Sequence, residues 1–301
     1  MLDRKKCEAF IAVVQTGSFE QAAKSLCLTA SAVTTRVGSL ERELGHVLIQ
    51  RGKPCSPTKV GSLLLEHIQH VKLQETSLMQ EINRGTSDSF YPLVIASNAD
   101  SLATWLLPAI HNFIINQNIS LEILIDDQSQ THHLMSSGMV NACISIESNP
   151  MKGCEANYLG TMNYKLFATR QFINRWFAEG MTRNEFSNAP AVIFNDKDYL
   201  HFDVLTNSFG LPKGSYPYHL IPSSDTFLTA IKHGLGYGFL PTLQIPSEPS
   251  NIGLINIASD IEVDINLYWH HWKNESDVLQ RFSSNIISNG RKLMHVNSKL
   301  I

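Results

Sequence analysis

The chain has 301 residues, 43% of them hydrophobic and 17% charged, which is typical of a globular protein with room for two or three compact units. No run approaches the ~18 uninterrupted apolar residues of a membrane helix, and the charged N-terminus lacks the apolar stretch of a signal peptide, so we predict a cytoplasmic protein with no membrane segment. The net charge of −3 hides an asymmetry, because residues 1–85 carry 11 Lys and Arg against 8 Asp and Glu, as expected of a segment that alone meets a polyanion.

Three short helices are predicted at the start of the chain. Residues 3–16 place Phe10 and Val13 on one apolar face, and Ser18 can cap a second helix over 19–26. A third helix, about 31–44, is predicted to bury a stripe that includes Val33, Val37 and Leu40, and Gly45 ends it. Off that stripe lie short hydroxyls and guanidinium groups: Thr34, Thr35, Arg36, Ser39 and Arg42.

A wing and a long helix are predicted next. "HVLIQRGKPCSPTKVG" is a short β-like run and a turn that carries Arg51 and Lys53 between two prolines. The long helix is predicted from Thr58 to about Arg84. Its apolar residues recur at 4- and 3-residue steps, with Glu75 as the one interruption: Leu64, Ile68, Val71, Leu78 and Ile82. Such a seam needs a partner helix, so we predict a dimerisation linker.

Strands alternating with helices are predicted after a polar hinge at 85–92. Strands are expected at 93–97, 121–125, 142–146, 164–170, 191–195, 218–222, 237–241 and 265–270, and helices at 100–116, near 129–137, at 224–233 and at 275–296. This alternation favours parallel sheets covered on both faces. Two such sheets with a late return to the first predict a hinged body of two lobes.

Residues 18–45 fit a helix-turn-helix whose third helix enters the DNA major groove. Short hydroxyls and Arg can reach base edges and phosphates. An ordinary three-helix packing unit with a solvated polar face has the same spacing, so spacing alone leaves both readings open. The predicted wing and dimer helix favour DNA binding, because two-fold dimers place two reading helices on one duplex.

The stretch "SFEQAAKSLCLTASAVTTRVGSLERELG", followed by "PTKVG", resembles the N-terminal winged helix-turn-helix of LysR-type transcriptional regulators. The length and the two-lobed body match as well, so the resemblance covers the whole chain. "NADSLATWLLPA", "APAVIF" and "LYWHHW" are similar to the arginine/lysine-responsive branch, which includes the chromosome initiation inhibitor and regulators of basic amino-acid export.

The resemblance implies an α/β chain with three parts. These are an all-α winged helix-turn-helix over 1–58, a linker helix over 59–85, and a two-lobed, periplasmic-binding-protein-like effector domain over 86–301. Lobe I is expected over about 91–162 and 266–301, and lobe II over about 163–265. Its implied partners are double-stranded promoter DNA, a small effector such as lysine or arginine, further copies of the chain in a homodimer or homotetramer, and RNA polymerase. No cofactor is implied.

The DNA-binding residues carried over by the resemblance are Ser31, Thr34, Thr35, Arg36 and Ser39 as base readers. Arg42, Arg51 and Lys53 are expected chiefly at phosphates or in the minor groove. Ala30 and Gly38 depart from the usual family pattern, where a Gln and a longer polar residue are common, so the operator sequence does not follow from the resemblance.

The effector site is expected where strands of the body end. In "SNADS", Ser97, Asn98 and Ser101 could hold a ligand carboxylate with free backbone N–H groups, although plain helix capping explains them equally well. The family binds its effectors at this strand end, which favours a site. A lysine- or arginine-like ligand also needs carboxylates near its cation. Asp100, Asp126, Asp127, Glu147 and Asp196 follow predicted strand ends, and we favour Asp127 and Asp196, with Ser145 and Ser224 as lesser candidates.

Three other motifs are rejected. "GLGYG" at 234–238 follows a helix and precedes a strand, the reverse of a dinucleotide loop, so a helix-to-strand turn is predicted. Neither "THH" nor "WHHW" has further ligands for a metal, so no metal site is predicted. The sequence contains no GxSxG, HExxH or P-loop motif, so we do not expect an enzyme.

Two alternatives belong to other functional classes. A small-molecule binding protein without DNA activity would share the two-lobed body but would not need residues 1–85. An architectural nucleic-acid binder would need those residues but not the long body behind them.

Overall fold

The structure is a computed structural model that describes residues 2–83, 90–126, 131–136, 139–151, 153–273 and 275–297. The chain divides into two compact units, one formed mainly by residues 1–87 and the other mainly by residues 88–301. In the described ranges, no helix is both long and apolar enough to cross a membrane.

The first unit begins with three helices whose ends match the predictions to within a residue. They are α1 (Arg4–Thr16), α2 (Phe19–Ser25) and α3 (Ala30–Leu44). Ser18 caps α2 and Thr29 caps α3 through their side chains, and Gly45 adopts a left-handed conformation after α3 with φ of 70°. Ala22 and Ala23 are buried because α2 packs against both neighbouring helices at short range.

The predicted wing is confirmed as a pair of short antiparallel strands. They are β1 (Ile49–Gln50) and β2 (Ser56–Pro57). The carboxylate of Glu41 on α3 fixes β1, because its Oε1 accepts hydrogen bonds from the backbone N–H groups of Leu48 at 2.8 Å and Ile49 at 3.4 Å. The wing is therefore attached to the third helix.

The linker helix α4 (Lys59–Asn83) starts against the wing. A Cβ on Gly61 would lie 2.1 Å from the backbone oxygen of Leu48, so only glycine permits this approach. Part of the predicted seam packs within the unit, since Leu64 and Ile68 lie against its core beside the buried Leu65. Further along α4, Leu78 and Met79 are exposed; the side chain of Ile82 lies outside the described part.

The second unit contains a mixed sheet of seven described strands. Its order is β10-β6-β11-β5-β3-β4, and β9 also pairs with β6. The strands are β3 (Tyr91–Ser97), β4 (Ile119–Ile125), β5 (Ala142–Ser145), β6 (Cys154–Thr169), β9 (Gly238–Pro241), β10 (Leu254–Asn256) and β11 (Glu262–Trp272). A second, two-stranded parallel sheet joins β7 (Ala191–Ile193) to β8 (Tyr218–Leu220).

The expectation of purely parallel sheets is wrong for part of this unit. Strand β3 is parallel to β4 and β5, as predicted, but β6 runs antiparallel to β9, β10 and β11. The strand predicted at 164–170 also begins ten residues earlier, at Cys154. Strand β6 is this long because β11 pairs with it over nearly its whole length, a non-local contact that the sequence pattern does not show.

Helices cover the sheets of the second unit. They are α5 (Ala99–Ser101), a π-helical segment (Leu102–Leu106), α6 (Leu107–Asn116), α7 (Thr131–Ser136), α8 (Arg170–Trp176), α9 (Arg183–Asn188), α10 (Tyr199–Phe209), α11 (Ser224–Lys232) and α12 (Asp277–Asn297). Helices α8, α9 and α10 were not predicted. The turn predicted at "GLGYG" is confirmed: Gly234 follows α11 with φ of 74°, and Gly238 begins β9.

Candidate functional sites

The outer face of α3 presents the polar side chains that the sequence singled out. Ser31, Thr34, Thr35 and Arg42 are exposed, while Arg36 and Ser39 are half-buried. The hydroxyls of Thr34 and Thr35 each donate to the helix carbonyl four residues earlier at 2.8 Å, which leaves their oxygens to accept hydrogen bonds from outside. This face is displayed on the surface of unit 1 rather than packed into its core.

The wing brings two further predicted cations beside that face. Arg51 and Lys53 are exposed and share one surface depression with Thr34 of α3. The guanidinium carbon of Arg51 lies 5.7 Å from the ring centroid of Phe19, a cation–π contact that restrains the side chain. Phe19, Glu20 and Ser18 also line the depression. Sequence reasoning missed them, although α2 had been placed correctly next to α3.

The second unit contains a cleft with an acidic floor and an apolar wall. The acids are Asp100 after β3, Asp126 after β4 and Asp198 at the start of α10. The wall includes Phe194, Leu200, Phe227 and Phe239. The other lining residues are Asn98, Ala99, Tyr164, Asn195, Ser224, Leu240, Pro241 and Gln244. None of the described residues that line the cleft is basic, so its charge favours a cation.

Asp100 connects segments that lie far apart in the sequence. Its Oδ2 accepts a hydrogen bond from the Tyr164 hydroxyl at 2.8 Å, and its Oδ1 accepts one from the Ser224 hydroxyl at 2.7 Å. Burial raises the pKa of the Asp100 carboxyl above its ordinary value, and the two hydroxyl donors oppose this rise. The Gln244 amide in turn donates to the backbone oxygen of Ser224 at 3.4 Å.

Asp198 is held by the backbone of its own neighbourhood. Its Oδ2 accepts from the N–H of Phe194 at 2.9 Å, and its Oδ1 accepts from the N–H of His201 at 3.2 Å, which caps α10. The same carboxylate lines the cleft. The segment "DYLHF" carries the signal that could have found it, namely an Asp cap before an apolar helix face.

The predicted effector residues divide into three groups. Asn98, Asp100, Asp126 and Ser224 line the cleft together, whereas Glu147 is exposed outside the lining. Ser97, Ser101 and Ser145 are buried outside its lining: Ser97 donates to the backbone oxygen of Asn98 at 3.1 Å, Ser101 accepts from the Trp105 indole at 3.2 Å, and Ser145 accepts from the N–H of Glu147 at 3.2 Å. Asp196 also lies outside the lining, on the surface, where it pairs with Lys213 at 3.0 Å. Asp127 lies outside the described residues.

The two histidines of "WHHW" are engaged within the protein. One ring nitrogen of His270 lies 2.6 Å from the backbone oxygen of Glu147, and a ring nitrogen of His271 lies 3.1 Å from the Glu275 carboxylate. Both side chains are buried.

Both parts of the chain match models of one protein family. Residues 5–62 match the bacterial regulatory helix-turn-helix protein model of the lysR family, and residues 91–289 match the LysR substrate binding domain. The HTH-type transcriptional regulator ArgP of Photobacterium profundum is 36% identical over 293 residues, which cover 97% of this chain and 98% of that protein.

Two solved structures are similar over nearly the whole length. The crystal structure of ArgP from Mycobacterium tuberculosis has a TM-score of 0.79 and 32% identity, and the match covers 96% of this chain and 98% of that one. Full-length LysG from Corynebacterium glutamicum with bound effector Arg has a TM-score of 0.75 and 28% identity, covering 97% and 99% of the two chains.

Proposed function

The chain belongs to the LysR family of DNA-binding transcriptional regulators, and from this premise we propose that it senses a basic amino acid, lysine or arginine, in the cleft of its second unit. The observation that carries the proposal is the set of three carboxylates, Asp100, Asp126 and Asp198, in a cleft without a basic lining residue among those described. The arginine bound to the LysG neighbour supports the same ligand class.

The cleft suits both ends of such a molecule. An ammonium or guanidinium group gains charge-assisted hydrogen bonds from carboxylates, which are stronger than neutral ones. The methylene groups of a lysine or arginine side chain would pack on Phe194, Leu200 and Phe227. We assign the ligand carboxylate to the side-chain amides of Asn98 and Gln244, since the Ser224 hydroxyl already donates its proton to Asp100.

Promoter binding is assigned to the face of α3 and to the wing. Ser31, Thr34, Thr35, Arg36 and Ser39 would read bases, and Arg42, Arg51 and Lys53 would contact phosphates or the minor groove. The exposed Leu63, Leu78 and Met79 on α4 support pairing with a second copy of the chain as a dimer or tetramer. The proposed role is regulatory rather than enzymatic, in the cytoplasm, with RNA polymerase as a further partner.

Matched pairs of ligands test the effector assignment. Lysine is compared with norleucine, which lacks the ε-ammonium group, and arginine with citrulline, which lacks the positive charge. All four tryptophans lie in residues 88–301, so tryptophan fluorescence during heating follows the second unit. Lysine or arginine at 100 times its dissociation constant should add about 2.7 kcal/mol of stability. Equal shifts with norleucine or citrulline would contradict the role of the carboxylates.

A gel shift with promoter DNA separates the proposal from its two alternatives. We expect retarded DNA whose affinity or mobility changes on adding the stabilising amino acid, because a regulatory ligand must bind two DNA-bound arrangements with different affinity. Absence of any shift would favour a small-molecule binding protein. A shift that is insensitive to every amino acid would favour an architectural DNA binder.

A further inference from the structure

Behind the cleft wall lies an aromatic cluster that contains three polar side chains. His201 on α10 has its ring centroid 5.9 Å from that of Tyr216 and 5.8 Å from that of Tyr237. The exposed fractions of the three residues are 1%, 5% and 0%, so the cluster is sealed from solvent. The same imidazole lies 5.8 Å from the ring of Phe239, which lines the cleft.

The polar atoms of this cluster have no partner among the residues that the structure describes. Both ring nitrogens of His201 and the hydroxyl oxygens of Tyr216 and Tyr237 make no hydrogen bond to any described residue. Buried polar groups in folded proteins are nearly always hydrogen-bonded, since leaving one without a partner forfeits its hydration without return. Four such atoms lie on the His201 imidazole and on the two tyrosine rings beside it, so we look for one cause for all of them.

The chemistry of the cluster restricts what could bind there. Burial lowers the pKa of His201 to about 3, so the ring is neutral and offers one donor and one acceptor. Burial raises the pKa of both tyrosines, so neither is a phenolate. One neutral imidazole and two neutral phenols are a poor ligand set for a metal ion. They match a small uncharged molecule that both donates and accepts.

We propose that His201, Tyr216 and Tyr237 form an internal water-binding site behind the effector cleft. A buried water typically makes about three hydrogen bonds to buried polar groups that otherwise lack partners, and these three side chains supply that number. The site sits under the first turn of α10, where the backbone N–H of His201 donates to the cleft residue Asp198. Bound water would hold this turn, and with it Asp198 and Leu200, in place.

Removing one hydroxyl tests the proposal, because a bound water and a dry site predict different changes in the unfolding temperature. In the full-length protein, Tyr237→Phe should lower the unfolding temperature followed by tryptophan fluorescence by about 2–4 °C, because the water loses a partner. Trp176 reports on this region, since its ring packs on Phe172, which contacts Tyr237. Tyr199→Phe is the control, because Tyr199 is exposed on α10, the helix that carries His201. This variant should leave the unfolding temperature unchanged.

An unchanged or higher unfolding temperature would have a different cause. If the hydroxyl is dry and without a partner, deleting it removes a buried polar group, and Tyr237→Phe would unfold at the same or a higher temperature. That result would overturn the proposal. The double variant Tyr216→Phe/Tyr237→Phe should lose less than the sum of the single losses, because both hydroxyls serve one site.

A crystal structure at high resolution provides a second readout. We expect an ordered water within about 3.2 Å of a His201 ring nitrogen and at least one of the two hydroxyls. Rings that close on one another with no density between them would contradict the site. Neither readout requires the effector, so the inference can fail while the proposed sensing of basic amino acids stands.

Discussion

The polar side chains of α3 and those of the cleft differ in what they already contact. On α3, the hydroxyls of Thr34 and Thr35 donate to carbonyls of their own helix, four residues away, and to no other described residue. In the cleft, Asp100 accepts from Tyr164 and Ser224, which are 64 and 124 residues away. The α3 face that we propose for DNA binding thus contributes few contacts to the fold, whereas the cleft residues connect distant segments of it. Substitutions in the first should alter binding alone, and substitutions in the second should alter binding and stability together.

The largest effect is expected from Arg36→Ala. One contact to a base or phosphate contributes about 1–3 kcal/mol, and a symmetric dimer would lose it twice, so operator affinity should fall at least tenfold. The unfolding temperature should not change, because no hydrogen bond or ion pair joins this half-buried arginine to another described residue. Arg4→Ala is the control, since Arg4 lies on α1 and pairs with Glu8 at 3.0 Å. Unchanged affinity at every salt concentration would remove Arg36 from the DNA contacts.

Asp100→Asn should change ligand binding and stability in opposite directions, weakening the first and raising the second. Loss of a charged hydrogen bond of about 1.5–3 kcal/mol predicts a 10- to 100-fold weaker affinity for lysine or arginine by calorimetry. The unliganded protein should unfold at a slightly higher temperature, because the raised pKa of Asp100 means that its charge is costly to bury at neutral pH. Asp225→Asn is the control, as Asp225 is exposed next to Ser224. Normal affinity in the Asn variant would place the ligand cation elsewhere.

The stability of the second unit should depend on pH because of His201. His201 has a pKa of about 3 in the folded protein against 6.5 when unfolded, so only the unfolded state gains a proton between these values. Its contribution is complete above pH 6.5 and is lost as the pH falls, by about 2 kcal/mol at pH 5. His201→Phe should flatten this slope in tryptophan-monitored urea titrations. An unaltered slope would mean that the imidazole is not buried as described.

The smallest effect is expected in the first unit from Gly38→Ala. A Cβ at this position of α3 would meet nothing within 4 Å, and Gly costs a helix interior about 0.5–1 kcal/mol relative to Ala. The variant should stabilise the first unit by this amount in thermal unfolding followed by circular dichroism. Gly61→Ala is the contrasting change, since its Cβ would collide with the wing. If Gly38→Ala were less stable than the unsubstituted protein, the backbone of α3 would require glycine at this position.

The same contrast explains what could be predicted from the sequence. Helices α1 to α3 and their caps follow from residues within four positions of one another, so the pattern fixed them to within a residue. Asp198 was missed and Asp196 favoured because both follow β7, and only the turn that caps α10 decides which carboxylate faces the cleft. Tyr164 was not considered because its role depends on β6 approaching Asp100 on α5, a contact between residues 64 positions apart that the local sequence pattern does not show.

The close approach of Gly61 to Leu48 has a mechanical consequence. With no side chain between them, and with the hydroxyl of Thr58 donating to the oxygen of Val47 at 2.8 Å, the root of α4 cannot pivot independently of the wing strand. A change in the direction of this 25-residue helix would therefore move Arg51 and Lys53 of the wing as well. A bend in α4 would then change the contacts that we propose between these two side chains and DNA phosphates.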